Sequence, residues 1–203
     1  MSGGTVNLRE RQRLLTRRTV QQHALRLFGE QGFDETTVNE VARAAGVSPM
    51  TVYRHFPTKE DLVLGDEYDP LIAQRIAERP AGEPLMRRIG ATLVEQISEL
   101  QNDGGNEGES PAELLLARLR LVLATPALRA RRWDSQYATQ QAIVEALRAD
   151  PPDPELEFRV RVAAGACLSA ASAAVLRWAE EDGRPDLSRL LTQALAIVSE
   201  GQC

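Results

Sequence analysis

TTVNEVARAAGVSPMTVYRHFPTKEDL, residues 36–62, carries two short helical patterns on either side of a single glycine. Val38, Val41, Ala42 and Ala45 recur at three- and four-residue spacing, so they share one face of a helix over 37–45. Thr37 with Glu40 three residues later has the form of a capping box at that helix's start. Gly46 permits a left-handed turn, and Val47 fills a small core. Ser48 followed by Pro49 caps a second short helix over 49–56. Two short helices about a tight glycine turn form a helix-turn-helix, whose second helix enters the DNA major groove.

That second helix suits the task. Val52 and Phe56 supply its buried side, which turns Pro49, Met50, Thr51, Arg54 and His55 largely outward. The Tyr53 hydroxyl, His55 and Lys59 (the chain's single lysine) can donate to phosphate oxygens. Taken one at a time, each has a plainer role: core packing for Tyr53, an ordinary surface for His55, a solvated helix start for Lys59. Together with the glycine turn and both caps they describe a face aimed at a nucleic-acid backbone.

Working outward, Val20, Ala24, Leu27 and Phe28 form an apolar stripe on a preceding helix over 9–31, and Phe33 can fold back onto it after Gly32. Residues 1–60 hold nine basic groups against six acidic ones, a balance of +3 in a chain of net charge −5, so the remainder carries −8. One end can approach a polyanion and the other is repelled by it.

The 203 residues suffice for one domain or two small ones. Aromatics make up only 4%, and the abundance of Ala, Leu, Arg and Glu favours helices. The sequence predicts further helices over 59–78, 84–101, 111–124, 126–149, 154–182 and 186–200, with Pro after Ser110, Thr125 and Asp153 marking three starts. Ser110 and Glu113 repeat the capping-box pattern. No segment alternates with period two, so the expected fold class is all-α. QNDGGNEGES (101–110) and DPPDP (150–154) read as linkers. No run reaches the roughly 18 apolar residues of a membrane helix, and no signal peptide is visible, so a cytoplasmic protein without membrane contact is expected. Cys167 and Cys203 are too few for a disulfide framework or a zinc site, and no nucleotide-binding glycine loop occurs, so no cofactor is expected.

Beyond residue 62 the pattern is less specific. Met86, Ile89, Leu93, Ile97 and Leu100 make one helical stripe. Trp133, Tyr137, Gln140, Val144 and Leu147 make another, in which the polar Gln140 needs a partner from protein or ligand. Met86, Leu93, Ile97, Leu119, Val122, Trp133, Tyr137 and Gln140 are therefore the candidate lining of an apolar small-molecule cavity. A plain bundle core accounts for the same stripes. VAAGACLSAASAAV (162–175) is almost entirely small, which lets helix backbones approach closely. The last helix carries a broad apolar face that includes Leu187, Leu191, Ala194 and Val198. Cys167 reads as a buried apolar filler.

Residues 36–62, extended upstream through Val20, Ala24, Leu27, Phe28, Gly32 and Phe33, resemble the DNA-binding signature of the TetR family of bacterial transcriptional regulators. His23 departs from the small residue usual there and is expected to be buried and satisfied locally. The resemblance implies an N-terminal three-helix DNA-binding domain (1–62) and a C-terminal helical ligand-binding and dimerisation domain (63–203). It also implies a homodimer on a palindromic double-stranded operator, released by a small-molecule effector. Carried over by position, Thr37, Tyr53, His55 and Lys59 match phosphate contacts, while Ser48, Pro49, Met50, Thr51 and Arg54 lie where base or further backbone contacts are made. By the same resemblance, Ala163, Ala166, Ala170, Leu187, Leu191, Ala194 and Val198 belong to a four-helix dimer interface. Residues 60–85 resemble an actinobacterial subgroup associated with acyl-CoA-like ligands, which includes the regulator of mycofactocin genes, and Arg129, Arg131 and Arg132 are then candidates for the CoA phosphates.

Two other functions compete. An enzyme finds little support, since the only histidines, His23 and His55, lie in the helix-turn-helix region and no nucleophile or metal motif accompanies them. A helical adaptor for protein partners leaves Tyr53, His55 and Lys59 without a purpose. Salt-sensitive binding to duplex DNA separates the regulator from both.

Overall fold

A computed structural model of the protein describes residues 8–65, 68–102 and 110–200. Ten helices follow one another among them: α1 (Leu8–Gln31), α2 (Val38–Ala44), α3 (Pro49–His55), α4 (Asp61–Leu64), α5 (Tyr68–Glu78), α6 (Leu85–Asn102), α7 (Pro111–Ala124), α8 (Pro126–Ala146), α9 (Pro154–Glu180) and α10 (Leu187–Glu200). No strand occurs among the described residues. Most of the 101–110 linker and Cys203 lie outside them. The chain divides into two compact units, residues 1–65 and 66–203.

In the first unit the α1 stripe supplies the floor. Val20, Ala24 and Phe28 are buried, as are Val41 of α2, Val52 of α3 and Leu62 and Val63 of α4, and α1 packs on α2 and α4. Phe33 closes back on Phe28 with ring centroids 5.0 Å apart. Thr36 is also buried, but its hydroxyl donates to the Gly32 carbonyl at 2.8 Å, so its burial leaves no polar group unmatched. His23 is half-buried on α1 rather than fully buried as expected.

The helix expected over 59–78 is interrupted. α4 ends at Leu64, and Gly65 is extended with φ −64° and ψ 106°. Its carbonyl accepts a hydrogen bond from Gln21 Nε2 at 3.0 Å, and a Cβ there would lie only 3.0 Å from Arg17 Nη2. Residue 65 is thus held against α1, a long-range constraint that overrides the local helical pattern.

The second unit is a bundle of α5 to α10. Ala73, Ile76, Ile89, Ile143, Ala164, Cys167 and Leu191 form its main core, and Leu119, Trp178, Ala179 and Leu187 a second cluster. Trp178 Nε1 donates to the Pro185 carbonyl at 3.0 Å, which closes the α9–α10 turn where Gly183 takes φ +74°. Ion pairs tie α5 and the loop after it to α6: Arg75–Glu99 and Arg79–Glu95, both at 2.8 Å. Behind them Arg88 is buried, and its Nη2 donates to the Ile76 and Ala77 carbonyls at the end of α5.

Two sequence expectations change here. α9 contains a window long and apolar enough to cross a membrane, contrary to the expected absence of such a run, because alanines raise hydropathy without adding bulk. It is nonetheless a core helix, with Val160, Ala164, Cys167, Ala174 and Trp178 buried in the bundle. α8 is rotated relative to its expected stripe. It buries Leu128, Thr139, Ile143 and Val144 and leaves Trp133 70% and Tyr137 61% exposed. Both faces of this helix carry apolar residues, so local periodicity could not choose between them.

Candidate nucleic-acid interface and effector unit

The helix-turn-helix assembles from its own caps. Thr37 Oγ1 accepts from the Glu40 amide at 3.3 Å while Glu40 Oε2 accepts from the Thr37 amide at 2.8 Å, a reciprocal capping box. The Thr37 amide, and then the Thr37 hydroxyl at 2.7 Å, donate to Glu40 Oε2 and hold its carboxyl below its ordinary pKa. Gly46 turns the chain with φ +67°, and Val47 donates back to the Ala42 carbonyl at 3.0 Å. Ser48 then caps α3, accepting from the Thr51 amide at 3.1 Å.

α3 turns Val52 wholly inward, with Phe56 just after it, and presents the rest. Met50 is 76% and Tyr53 49% exposed. Thr37, Ser48, Pro49 and Arg54 are exposed too, and Thr51 and His55 are half-buried. The nine residues expected at DNA all belong to this unit, and eight lie on the two caps and α3. Lys59 comes from the following turn. Its Nζ donates to the Asp34 carbonyl at 3.2 Å and sits 4.6 Å from the Phe33 ring centroid. Lys59 therefore also ties the segment ahead of α4 to the turn after α1.

Arg17 escaped sequence reasoning. Its Nη1 donates to the His55 carbonyl at 2.6 Å, and its guanidinium lies 4.3 Å above the Phe56 ring. It anchors the end of α3 to α1. No local pattern marks that role, because its partners are 38 residues away. Partial burial, and then Arg54, Arg13 and Arg17, push the His55 pKa down, so its ring is neutral at pH 7. It can donate one hydrogen bond from a ring nitrogen but brings no full charge.

In the second unit the residues expected around a cavity separate. Leu93 is buried, and Met86 and Ile97 pack beside it in the main core. Leu119 belongs to the other cluster, beside Trp178, and Val122 is buried. Trp133 and Tyr137 face outward. Gln140 finds its partner within the protein: Nε2 donates to the Arg161 carbonyl at 2.7 Å. Met86 does line an open apolar cleft of about 380 Å³ together with Leu85, Phe158, Arg159 and Val162. Among residues expected at a dimer interface, Ala163, Ala170, Leu187 and Leu191 are buried within the chain itself, which leaves them little surface for a second copy. Ala166 and Ala194 are half-buried, and Val198 is 40% exposed.

Residues 22–65 match the bacterial regulatory proteins of the tetR family, and residues 105–202 match the MftR C-terminal domain. The chain is 35% identical over 161 residues to the HTH-type transcriptional regulator TcmR of Streptomyces glaucescens, a match spanning 77% of this chain and 70% of TcmR. It is 24% identical over 191 residues to MftR of Mycobacterium tuberculosis, named for regulation of mycofactocin biosynthesis, spanning 94% and 93% of the two chains. In fold it is similar to the Thermus thermophilus repressor FadR, solved with lauroyl-CoA: TM-score 0.54, 23% identity, covering 92% of this chain and 95% of that one. These relatives regulate transcription and are not enzymes. A helix-turn-helix with both caps formed, carried on an all-helical chain with these relatives, places the protein in the TetR family of bacterial transcriptional regulators.

Proposed function

We propose that the protein is a cytoplasmic repressor that binds a palindromic duplex operator as a homodimer and leaves it when a small apolar or acyl-CoA-like effector enters residues 66–203. The observation that carries the DNA half is α3 itself, with Val52 and Phe56 buried and Met50, Tyr53 and Arg54 exposed. Phosphate donors at Thr37, Tyr53, His55 and Lys59 position the protein, and Ser48, Pro49, Met50, Thr51 and Arg54 are left to meet base edges or further backbone. A palindrome fits two copies whose recognition helices lie about 34–36 Å apart, or a multiple of that. After intramolecular packing, Phe158 and Val162 on α9 and Ile197 and Val198 on α10 remain exposed, a surface a second copy can cover.

Support for the effector is the likeness to a repressor solved with lauroyl-CoA and the apolar second unit, where Met86, Leu93 and Ile97 face the main core. Release follows if the effector binds the DNA-incompetent state more tightly, since equal affinity for both states moves nothing. Selection of duplex DNA followed by titration at several salt concentrations tests the proposal. The expected outcome is a palindromic motif, affinity falling steeply with salt, and loss of binding on adding effector. Met50→Ala and Thr51→Ala should each change base preference at a few positions, by about 1–3 kcal/mol per lost contact. A protein that selects no motif, or whose binding ignores salt, is not this regulator.

A further inference from the structure

Residues 8–19 of α1 run ahead of Val20, the first residue of that helix to reach the core. At 1.5 Å per residue they lengthen the helix by roughly 18 Å. None of their described side chains is buried. They also precede the match to the tetR family, which begins at residue 22, and none of the nine residues expected at DNA lies on α1. Core packing and the binding face already described leave most of this stretch without a role.

The core-facing side of α1 nevertheless continues into it. Three and then seven positions before Val20, Arg17 and Arg13 fall on the side that Val20 and Ala24 turn to the core, whereas Arg11 and Arg18 fall on the opposite side. Beyond the core that side meets the end of α3, where Arg17 Nη1 donates to the His55 carbonyl at 2.6 Å and the guanidinium lies 4.3 Å from the Phe56 ring centroid. One turn further out, Arg13 is exposed and makes no hydrogen bond or ion pair among the described residues, and the same holds for Arg54 on α3. In the second unit, by contrast, Arg75, Arg79, Arg161 and Arg177 each meet a carboxylate. Partial burial comes first in lowering the His55 pKa, and Arg54, Arg13 and Arg17 follow in that order, so guanidiniums from α1 and α3 gather about one ring. Cations gathered in this way, with no acid among them, suit an anion.

We propose that Arg13 makes a further DNA contact, meeting a backbone phosphate of the duplex beside the end of α3, so that α1 holds the DNA together with the helix-turn-helix. The guanidinium fork matches two phosphate oxygens. A contact of this kind adds affinity without reading bases. Arg17, whose guanidinium already holds α3, is the positioning residue that keeps the two helices in register. The inference rests on the proposal that the protein binds duplex DNA, and it adds a residue outside the helix-turn-helix.

The test uses the full-length protein and the duplex that wild type selects. Arg13→Gln should bind it roughly tenfold more weakly, with the salt dependence flattened by about one unit of slope and the selected motif unchanged. Arg13→Lys should recover most of that slope, because a phosphate accepts either cation. Arg18→Gln removes the same charge from the opposite side of α1 and should bind as wild type does. Replacing single phosphates by uncharged methylphosphonates should reveal a position in each half-site that weakens wild type and leaves Arg13→Gln indifferent. In the free protein, His55 should titrate at higher pH in Arg13→Gln, since a neighbouring cation is gone. An unmoved His55 titration would place Arg13 away from α3 and overturn the contact. Equal losses in Arg13→Gln and Arg18→Gln would reduce the effect to net charge and overturn it too. Wild-type affinity and slope in Arg13→Gln overturn it while the regulator proposal stands. If wild type itself binds no duplex, the regulator proposal falls and takes this contact with it.

Discussion

Lys59 illustrates how one side chain serves two ends. Its contacts with the Asp34 carbonyl and the Phe33 ring brace the start of α4, while its charge suits a phosphate. Lys59→Ala should lower the melting temperature and also weaken DNA binding, with the salt dependence flattened by about one unit of slope. Tyr53 is half-exposed and its hydroxyl makes no hydrogen bond among the described residues, so Tyr53→Phe should weaken DNA binding with stability unchanged. Thermal melts beside anisotropy titrations separate the two. Full affinity in both variants would remove these residues from the interface. Arg17 is different again. It holds the end of α3 by the His55 carbonyl and the Phe56 ring.

Helix ends carry the acid sensitivity. Glu40 and Glu113 complete the capping boxes of α2 and α7, and the cap bonds lower both pKa values from the ordinary 4.5. Their contribution is fully present above pH 4.5 and is lost as pH falls through the depressed folded values. Glu40→Gln should therefore melt earlier than wild type at pH 7, with the difference shrinking as pH falls through the depressed Glu40 pKa, below which both side chains are uncharged. Melting curves across that range check the sign. A gap that widened on acidification would show that Glu40 contributes through something other than its charge. The same caps were legible without coordinates, because a Thr or Ser three residues before a Glu satisfies its bonds locally. The break at Gly65 was not, since its cause lies in Gln21 and Arg17 of another helix.

For the assembled protein, the surface left over after packing decides what a second copy can touch. Phe158 and Val162 are 62% and 55% exposed on a helix whose opposite side is core. Val162→Glu should convert a dimer to monomers with helicity retained, and should weaken operator binding because the two half-sites are no longer linked. Sedimentation velocity gives the mass and circular dichroism the fold. A Val162→Glu protein that stays dimeric would place the interface elsewhere. Ala163→Glu is the contrasting case. Its side chain is buried in the chain's own core, so that variant should unfold rather than dissociate.

The helix-turn-helix within residues 36–62 was readable because its determinants are local: a cap, a turn glycine and a short apolar face each act within four or five positions, whereas the long-range ties of Arg17 to His55 and of Lys59 to Asp34 were not. Family membership and the exposed face of α3 followed from that stretch. The second unit offered no such economy. α8 carries apolar groups on two faces, and only packing settled that Leu128 and Ile143 go inside while Trp133 and Tyr137 stay out. The alanines of α9 and the leucines of α10 suit a dimer and a core equally well, and Ala163, Leu187 and Leu191 went to the core. Hydrophobic patterning states that a side chain wants burial; which neighbour buries it depends on contacts between residues distant in the chain, and those exist only once the bundle has formed.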